Sequence, residues 1–367
     1  MKTLLVASDV HLSDSIWKHM PILGDSFYSW QQIVGHAINR NVDGVLLAGD
    51  ILDKQVNQAK TVGALLDGLA RLTRQKIPVY FNQGQHEFQV EPWMLINSNL
   101  DVTWLHQKTI EINGWKIVGC DYQNEEKFKA FLKSPLALSA DILVCHQVWQ
   151  DFMGENAKPQ ASFADIPKSV QCLITGDYHE HIVRRVNDLI VLSPGSTHLR
   201  SLSEPTNKSV FLLQLNESDL SVADIELRTR RVYQFKTTQP VEVLLAQAEA
   251  ALEDAKAYAE KYDLPEELHK PVFRLTHSMD DTLIVRLFKN KFTDNTHLFF
   301  KPVITAQEKE KELPKLSTGN KTNLINCLDG FIDKEAKPKA YGLALSLLSE
   351  PEPEQALNRW LEEQTNV

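Results

Sequence analysis

KTLLVASDVH, residues 2–11, is an apolar, partly β-branched run that stops abruptly at two metal-binding side chains, Asp9 and His11. Four later stretches repeat the arrangement: VDGVLLAGD (42–50) ends on Asp50, IPVYFNQGQHE (77–87) carries Gln85 and His86, ADILVCH (140–146) ends on His146, and VQCLITGDYH (170–179) carries Asp177 and His179. Runs of this length and composition, bounded by Gly, Asp and Asn, read as buried strands. Groups at their carboxyl ends share one edge of a sheet, where open α/β folds bind ligands, so the five sets are expected to converge.

Between these strands lie helical patterns. SFYSWQQIVGHAINR after Asp25 and QAKTVGALLDGLARLTRQ after Asn57 have apolar stripes at helical spacing, and Asp25 and Asn57 have side chains suited to N-capping. VTWLHQ, KTIEIN and GWKIVGCDY read as further strands, the last two joined by Asn113-Gly114, a strong hairpin signal. The expectation for residues 1–235 is an α/β domain of two packed sheets with helices outside.

The pattern changes after LRTRRVYQFK. Pro240 opens an Ala- and Glu-rich helix closed by Pro265, and PVFRLTHS, DTLIVRLF and THLFFKPVIT read as three strands, making a small α+β domain over 236–304. Residues 305–319 are charged, contain Pro and Gly, and read as a linker. Three short helical patterns fill 320–367; their apolar residues, among them Leu324, Phe331, Leu347 and Trp360, call for a partner groove, a coiled coil or packing on the parent domain.

Composition narrows the function classes. At 367 residues the chain can bury a large core, and no apolar stretch approaches the roughly 20 residues of a membrane span, so a cytoplasmic protein is expected. The cysteines, Cys120, Cys145, Cys172 and Cys327, form no C-x-x-C pair and read as buried free thiols, Cys145 beside His146 included. A net charge of −9 excludes a general nucleic-acid-coating protein, but not a DNA enzyme whose acidic ligands are neutralised by divalent ions.

Asp9 and His11, two residues apart where a strand runs out, point to one side and can reach one ion. Asp50 has two oxygens, enough to bridge two ions. Gly84 permits a sharp turn before Gln85, whose amide oxygen suits a hard ion, and His86 can donate a proton to an oxygen leaving phosphorus. Each element alone has an ordinary reading as a capping Asp or a hydrogen-bonded surface His; five in sequence, each ending an apolar run, do not.

The set resembles the calcineurin-like metallophosphoesterase superfamily, whose pattern is D-x-H, G-D, G-N-H-[DE], a strand-end His and G-H-x-H. Ser193-Pro194-Gly195-Ser196-Thr197, followed by Arg200 and Glu204, resembles a segment of one branch, the SbcD-type nucleases that work with an SbcC-type ATPase in double-strand-break processing. The resemblance implies a four-layer αββα sandwich, a small α+β capping domain and C-terminal helices that dock on the ATPase coiled coil. It implies Asp9, His11 and His179 on one ion, Gln85, His146 and Asp177 on the other, Asp50 bridging them, His86 as proton donor and Asp53 in support. It further implies two divalent ions, Mn2+ with Mg2+ as the alternative, double-stranded DNA ends as substrate, and a homodimer within a nuclease–ATPase complex.

Two positions depart from the pattern: Gln85 replaces Asn, and Asp177 replaces the first His of G-H-x-H. A shifted register, His179-Glu180-His181, would restore two imidazoles; the spacing of Gly176 from the strand favours Asp177 and His179. These departures sustain a competing reading, a catalytically weakened scaffold or regulatory subunit of the same complex. A small-molecule phosphodiesterase is a third, against which the cap and C-terminal helices count. Candidates for DNA contact are Arg228, Arg230, Arg231 and Lys236 at the domain junction and Arg274, Arg286, Lys289, Lys291 and Lys301 in the cap.

Overall fold

The computed structural model describes residues 1–13, 24–153, 158–278 and 281–303. The linker at 305–319, the helical patterns at 320–367 and Cys327 lie outside the described residues. Two compact units divide the chain, residues 1–276 with 282–301 and residues 277–281 with 302–367; the first carries the features below.

The apolar runs form strands as their composition dictates. β1 (Lys2–Ala7), β2 (Gly44–Ala48), β3 (Val79–Asn82) and β4 (Val102–Trp104) lie side by side in parallel. The chain then crosses to a second sheet, β5 (Thr109–Ile112), β6 (Trp115–Cys120), β7 (Ile142–His146), β8 (Cys172–Gly176), β9 (Ile182–Val186) and β10 (Leu189–Ser193). It returns with β11 (Lys208–Leu215), antiparallel to β1, and β12 (Leu220–Leu227). The sheet orders are β12-β11-β1-β2-β3-β4 and β5-β6-β7-β8-β10-β9. At the β5–β6 hairpin, Asn113 (φ 51°) and Gly114 (φ 85°) both take the left-handed turn the dipeptide signals.

Alternation along the strands builds four layers. One face of β1 and β2 sends Leu5, Val45 and Leu47 against Trp30, Ile33 and Val34 of α1 (Asp25–Asn39) and Leu65 and Leu69 of α2 (Ala59–Arg74). The opposite face sends Leu4, Val6, Leu46 and Ala48 against Ile142, Val144, Cys172 and Ile174 of the second sheet. That sheet's outer face packs Val118, Leu143 and Leu173 on Phe128, Phe131 and Ala137 of α3 (Glu125–Leu132) and α4 (Pro135–Leu138). The result is the αββα sandwich, with both parallel strand sets burying both faces, as parallel sheets must.

Local details differ from expectation. The α1 N-cap is Gly24 (φ 94°) rather than Asp25, which sits in the first turn with its carboxylate against Arg230. The α2 N-cap is Gln58, and Asn57 instead donates to the Lys54 carbonyl. DTLIVRLF, read as a strand, instead opens a helix, α6 (Thr282–Phe292), which follows α5 (Val241–Lys261). Ile284, Phe288 and Phe292, four residues apart, supply a helical stripe that the β-branched run concealed, and Phe288 and Phe292 are buried in it. The third sheet is therefore β13 (Val232–Lys236), β14 (Val272–His277) and β15 (His297–Pro302), with β13, assigned from sequence to the end of the first domain, parallel to β14. This sheet and its helices share one compact unit with the two large sheets.

Candidate metal centre

Four of the candidate ligands, Asp9, His11, Asp50 and Asp177, get their direction from a break in the backbone at a strand end. After β1, Asp9 and His11 take φ of 50° and 42°; after β2, Gly49 and Asp50 take 86° and 49°; after β8, Asp177 takes 80°. Left-handed backbone is uncommon for residues with a Cβ and clusters at functional sites. The turns run in step, because Asp9 N donates to the Gly49 carbonyl (3.0 Å) and His11 N to that of Asp50 (2.8 Å). Across the sheets, Asp177 N donates to both Asp9 oxygens at 3.2–3.3 Å.

The loop after β3 closes over Asp50. His86 N donates to Asp50 Oδ1 (3.0 Å), and a Cβ on Gly84 would fall 2.0 Å from that oxygen, so glycine is the one residue that lets the two loops approach this closely. Buried Glu87 straps the same loops, accepting from Leu52 N (2.6 Å) and Gly84 N (3.2 Å); burial and the Asp50 charge push its carboxyl up to about 8.

The structure brings all seven candidate ligand residues together. Donor atoms about 2.0–2.2 Å from a shared ion must lie within about 4 Å of one another. His179 Nε2 is 3.5 Å and His11 Nε2 3.7 Å from Asp9 Oδ1, and the two imidazole nitrogens are 3.4 Å apart. On the other side His146 Nε2 is 3.8 Å from Asp177 Oδ1, and Gln85 Nε2 donates to that same oxygen at 2.5 Å. Asp50 Oδ2 lies between the halves, 3.6 Å from His11 Nε2 and 3.3 Å from His146 Nε2.

The fit to cations is tested by what these atoms lack. Asp50 Oδ2, His146 Nε2 and Gln85 Oε1 are buried without a hydrogen-bond partner. The 3.3 Å approach of His146 Nε2 to Asp50 Oδ2 is close but not aligned as a hydrogen bond, since both atoms turn toward a common point. Leaving three polar atoms unpaired in one place is costly unless something positive occupies the space between them. The donor set fits a pair of divalent ions.

Supporting groups fix the ring orientations. His146 Nδ1 donates to the Ala48 carbonyl (2.8 Å), leaving Nε2 as the free donor atom. His179 Nδ1 donates to Glu204 Oε1 (2.9 Å), and Glu204 Oε2 accepts from Ser196 Oγ (2.8 Å), Lys208 Nζ (2.9 Å) and Arg200 N (3.2 Å). Burial raises the Glu204 carboxyl, but the His179 hydrogen bond and Lys208 outweigh it and hold the group at about 2. Asp53 lies 3.4 Å from His11 Nδ1 and is paired with Arg200; against burial, these hold it at about 2. Sequence reading quoted Arg200 and Glu204 only as part of a motif and gave neither a task.

The ion-free site is strongly polarised. Burial pushes Asp9 up, yet the imidazoles of His11 and His179 hold it well below the usual carboxylate range. Burial lowers His146, but the Asp50 and Asp9 carboxylates raise it well above the usual imidazole range, and His179 is raised to about 9 by Asp9 and Glu204 in the same way. His86 stands at the rim with its side chain 39% exposed; Nδ1 donates to the Asp53 carbonyl (3.0 Å), and Nε2 lies 3.9 Å from Asp50 Oδ2.

Other expected residues lie elsewhere. His181 donates from Nδ1 to the Pro194 carbonyl (2.9 Å), places Nε2 3.1 Å from Asp224 and packs on Phe211. The thiol of Cys145 is buried 3.7 Å from Thr175 Oγ1, and burial pushes it up to about 12, so it is no nucleophile. Arg230 corrects the expectation of a DNA-facing cation: it is 3% exposed, forks onto Asp25 at 2.9–3.2 Å, and donates to the carbonyls of Lys270 and Glu267. Arg228 pairs with Glu226 over the Tyr262 ring, Arg231 with Asp254, and Lys291 with Glu249. Arg274 reaches from β14 to the Leu202 carbonyl (3.0 Å), while Arg286 and Lys289 are exposed on α6.

Strand-end donors on a double sheet are what a metallophosphoesterase carries, and residues 2–180 match the calcineurin-like phosphoesterase family. More particularly, the chain is 24% identical over 236 residues to the DNA double-strand break repair protein Mre11 of Methanosarcina mazei, covering 62% of this chain and 38% of that one. It is also 24% identical over 239 residues to the uncharacterized metallophosphoesterase YhaO of Bacillus subtilis, covering 60% and 59%. The match thus spans less than two thirds of either relative's length. Among solved structures, a dimetal phosphatase from Danio rerio aligns with 61% of this chain and 95% of its own at 12% identity, with a TM-score of 0.43.

Proposed function

We propose that this protein is a two-metal phosphodiesterase acting on DNA ends, the nuclease subunit of a complex with a coiled-coil ATPase in DNA repair and recombination. The observation that carries the phosphodiesterase reading is the set of buried, unpartnered donors, Asp50 Oδ2, His146 Nε2 and Gln85 Oε1, beside the Asp9–His11–His179 cluster. The likeness to Mre11 supports DNA as substrate.

Asp9, His11 and His179 would hold one ion, and Gln85, His146 and Asp177 the other, with Asp50 shared. Mn2+ suits this mixture of imidazole, amide and carboxylate donors, with Mg2+ the alternative. Bound there, divalent ions supply Lewis acidity that activates water and neutralises charge developing on phosphorus. The protein does the rest. Asp50, tied through Oδ1 to His86 N, keeps a single oxygen directed between the two halves. His86, its Nδ1 committed to Asp53, presents Nε2 at the rim, where it can give a proton to the departing sugar oxygen. Glu204 and Asp53 hold His179 and His11 in register with the ions.

Exposed Arg286 and Lys289 on α6 are the cap's candidates for phosphate contact, the apolar sequence patterns at 320–367 serve to dock the ATPase, and a homodimer forms within the assembly, in the cytoplasm. Manganese-dependent degradation of linear double-stranded DNA tests the reading: His86→Ala is expected to lower the rate at least about 100-fold while Mn2+ stoichiometry is retained. A metal-loaded wild-type protein inert on DNA, alone and with its ATPase, would favour the scaffold reading. Turnover of a chromogenic phosphodiester without turnover of DNA would favour a small-molecule enzyme.

A further inference from the structure

The two halves of the centre differ in donor chemistry, and the difference is concentrated in one contact. Asp9, His11 and His179 offer two imidazoles and a carboxylate, whereas Gln85, His146 and Asp177 offer one imidazole, one amide oxygen and a carboxylate. With Asp50 shared, the first position is half nitrogen and the second is three-quarters oxygen. Imidazole suits zinc and other borderline ions; carboxylate and carbonyl oxygens suit magnesium and manganese.

Gln85 and Asp177, the two positions that depart from the superfamily pattern, touch each other. Gln85 Nε2 donates to Asp177 Oδ1 at 2.5 Å, which decides the orientation of the amide: Nε2 is spent on the neighbour, and Oε1 is left buried and unpartnered. A longer amide and a shorter acid thus occupy the space that a shorter amide and a larger imidazole would fill. Either change alone would mismatch in size: Asn at 85 falls short of Asp177, and His at 177 meets the Gln85 amide. Asp177 also brings a third carboxylate beside Asp9 and Asp50, which favours a hard dication further.

Resting on the two-metal reading, we infer that the two positions are chemically unequal: the Asp9–His11–His179 position prefers Zn2+ strongly over Mn2+, the Gln85–His146–Asp177 position prefers it much less, and the Gln85–Asp177 pair sets that difference. With Mn2+ in excess over Zn2+ the centre then holds two different metals, and the pair acts as one unit.

The test is metal content of the full chain at saturating Mn2+ as buffered free Zn2+ is raised from zero, read by elemental analysis, with electron paramagnetic resonance to distinguish isolated from spin-coupled Mn2+. A spin-coupled Mn2+ pair is expected from Mn2+ alone, then one Zn2+ with one isolated Mn2+ per chain over at least about a 10-fold range of free Zn2+ before the second Zn2+ enters. The double variant Gln85→Asn with Asp177→His is expected to take both Zn2+ within a narrower range, and each single variant to hold its second ion at least about 10-fold more weakly than the double. Asp177→Asn provides a milder variant, expected to lose the second Mn2+ and keep the Zn2+. Entry of both Zn2+ together in the wild-type chain, or an unchanged partition in the double variant, would overturn the inference while leaving the two-metal reading intact. No stoichiometric binding of either ion would overturn that reading and the inference with it.

Discussion

The two halves of the metal centre are supported in different ways. Behind His179 and His11 stand carboxylates, Glu204 and Asp53, themselves anchored by Lys208 at the start of β11 and by Arg200 from the segment between β10 and β11. Behind His146 stands a backbone carbonyl, Ala48, and Gln85 and Asp177 lean on each other. A carboxylate behind an imidazole raises its basicity and locks its tautomer; a carbonyl fixes the tautomer with less charge. One half is therefore tuned by charged side chains distant in sequence, and the other by the strand ends and the donors themselves.

That contrast is most severely tested where both halves meet. Gly84→Ala would set a Cβ against Asp50 Oδ1, and since Asp50 is shared, both ions are expected to be lost and activity to fall below about 1% with the circular dichroism spectrum preserved. Retention of either ion would show that the halves assemble without Asp50. Glu204→Gln should act on one side alone, weakening the first ion by about 10–100-fold and leaving the second unchanged; an equal loss on both sides would erase the distinction drawn here. Taken one unit at a time, pH has the smallest effect. With His179 raised to about 9 in the ion-free protein and ions binding only the neutral ring, first-position affinity should rise with pH up to about 9 and fall by about tenfold per unit below it. Calorimetric titration from pH 6.5 to about 9 reads the slope, and Glu204→Gln should move its upper limit downward.

The sandwich and the seven donors were legible because strand-end chemistry is local: an apolar run, a turn residue and a ligand lie within about ten residues of one another. The carboxylates behind the imidazoles were not, since Glu204, 25 positions after His179, meets it only once the chain between them has folded through a hairpin. Arg230 misled for the same reason. Within a basic cluster it looked like a phosphate contact, but its partner, Asp25, is 205 residues away, and a buried fork of this kind belongs to the fold. DTLIVRLF misled because β-branched residues dominate the run, and the residue that reveals helical spacing, Phe292, lies beyond it. Sequence proximity thus marked the candidate donors, and contacts across the chain decide their support.

The central claim, that strand-end donors form one two-ion centre, is tested most directly by anomalous diffraction from Mn2+-loaded crystals of the full chain. Two Mn2+ peaks roughly 3.5–4 Å apart are expected, with Asp50 Oδ2 between them, Asp9, His11 and His179 around one and Gln85, His146 and Asp177 around the other. A single peak, or His181 on an ion in place of Asp177, would contradict it.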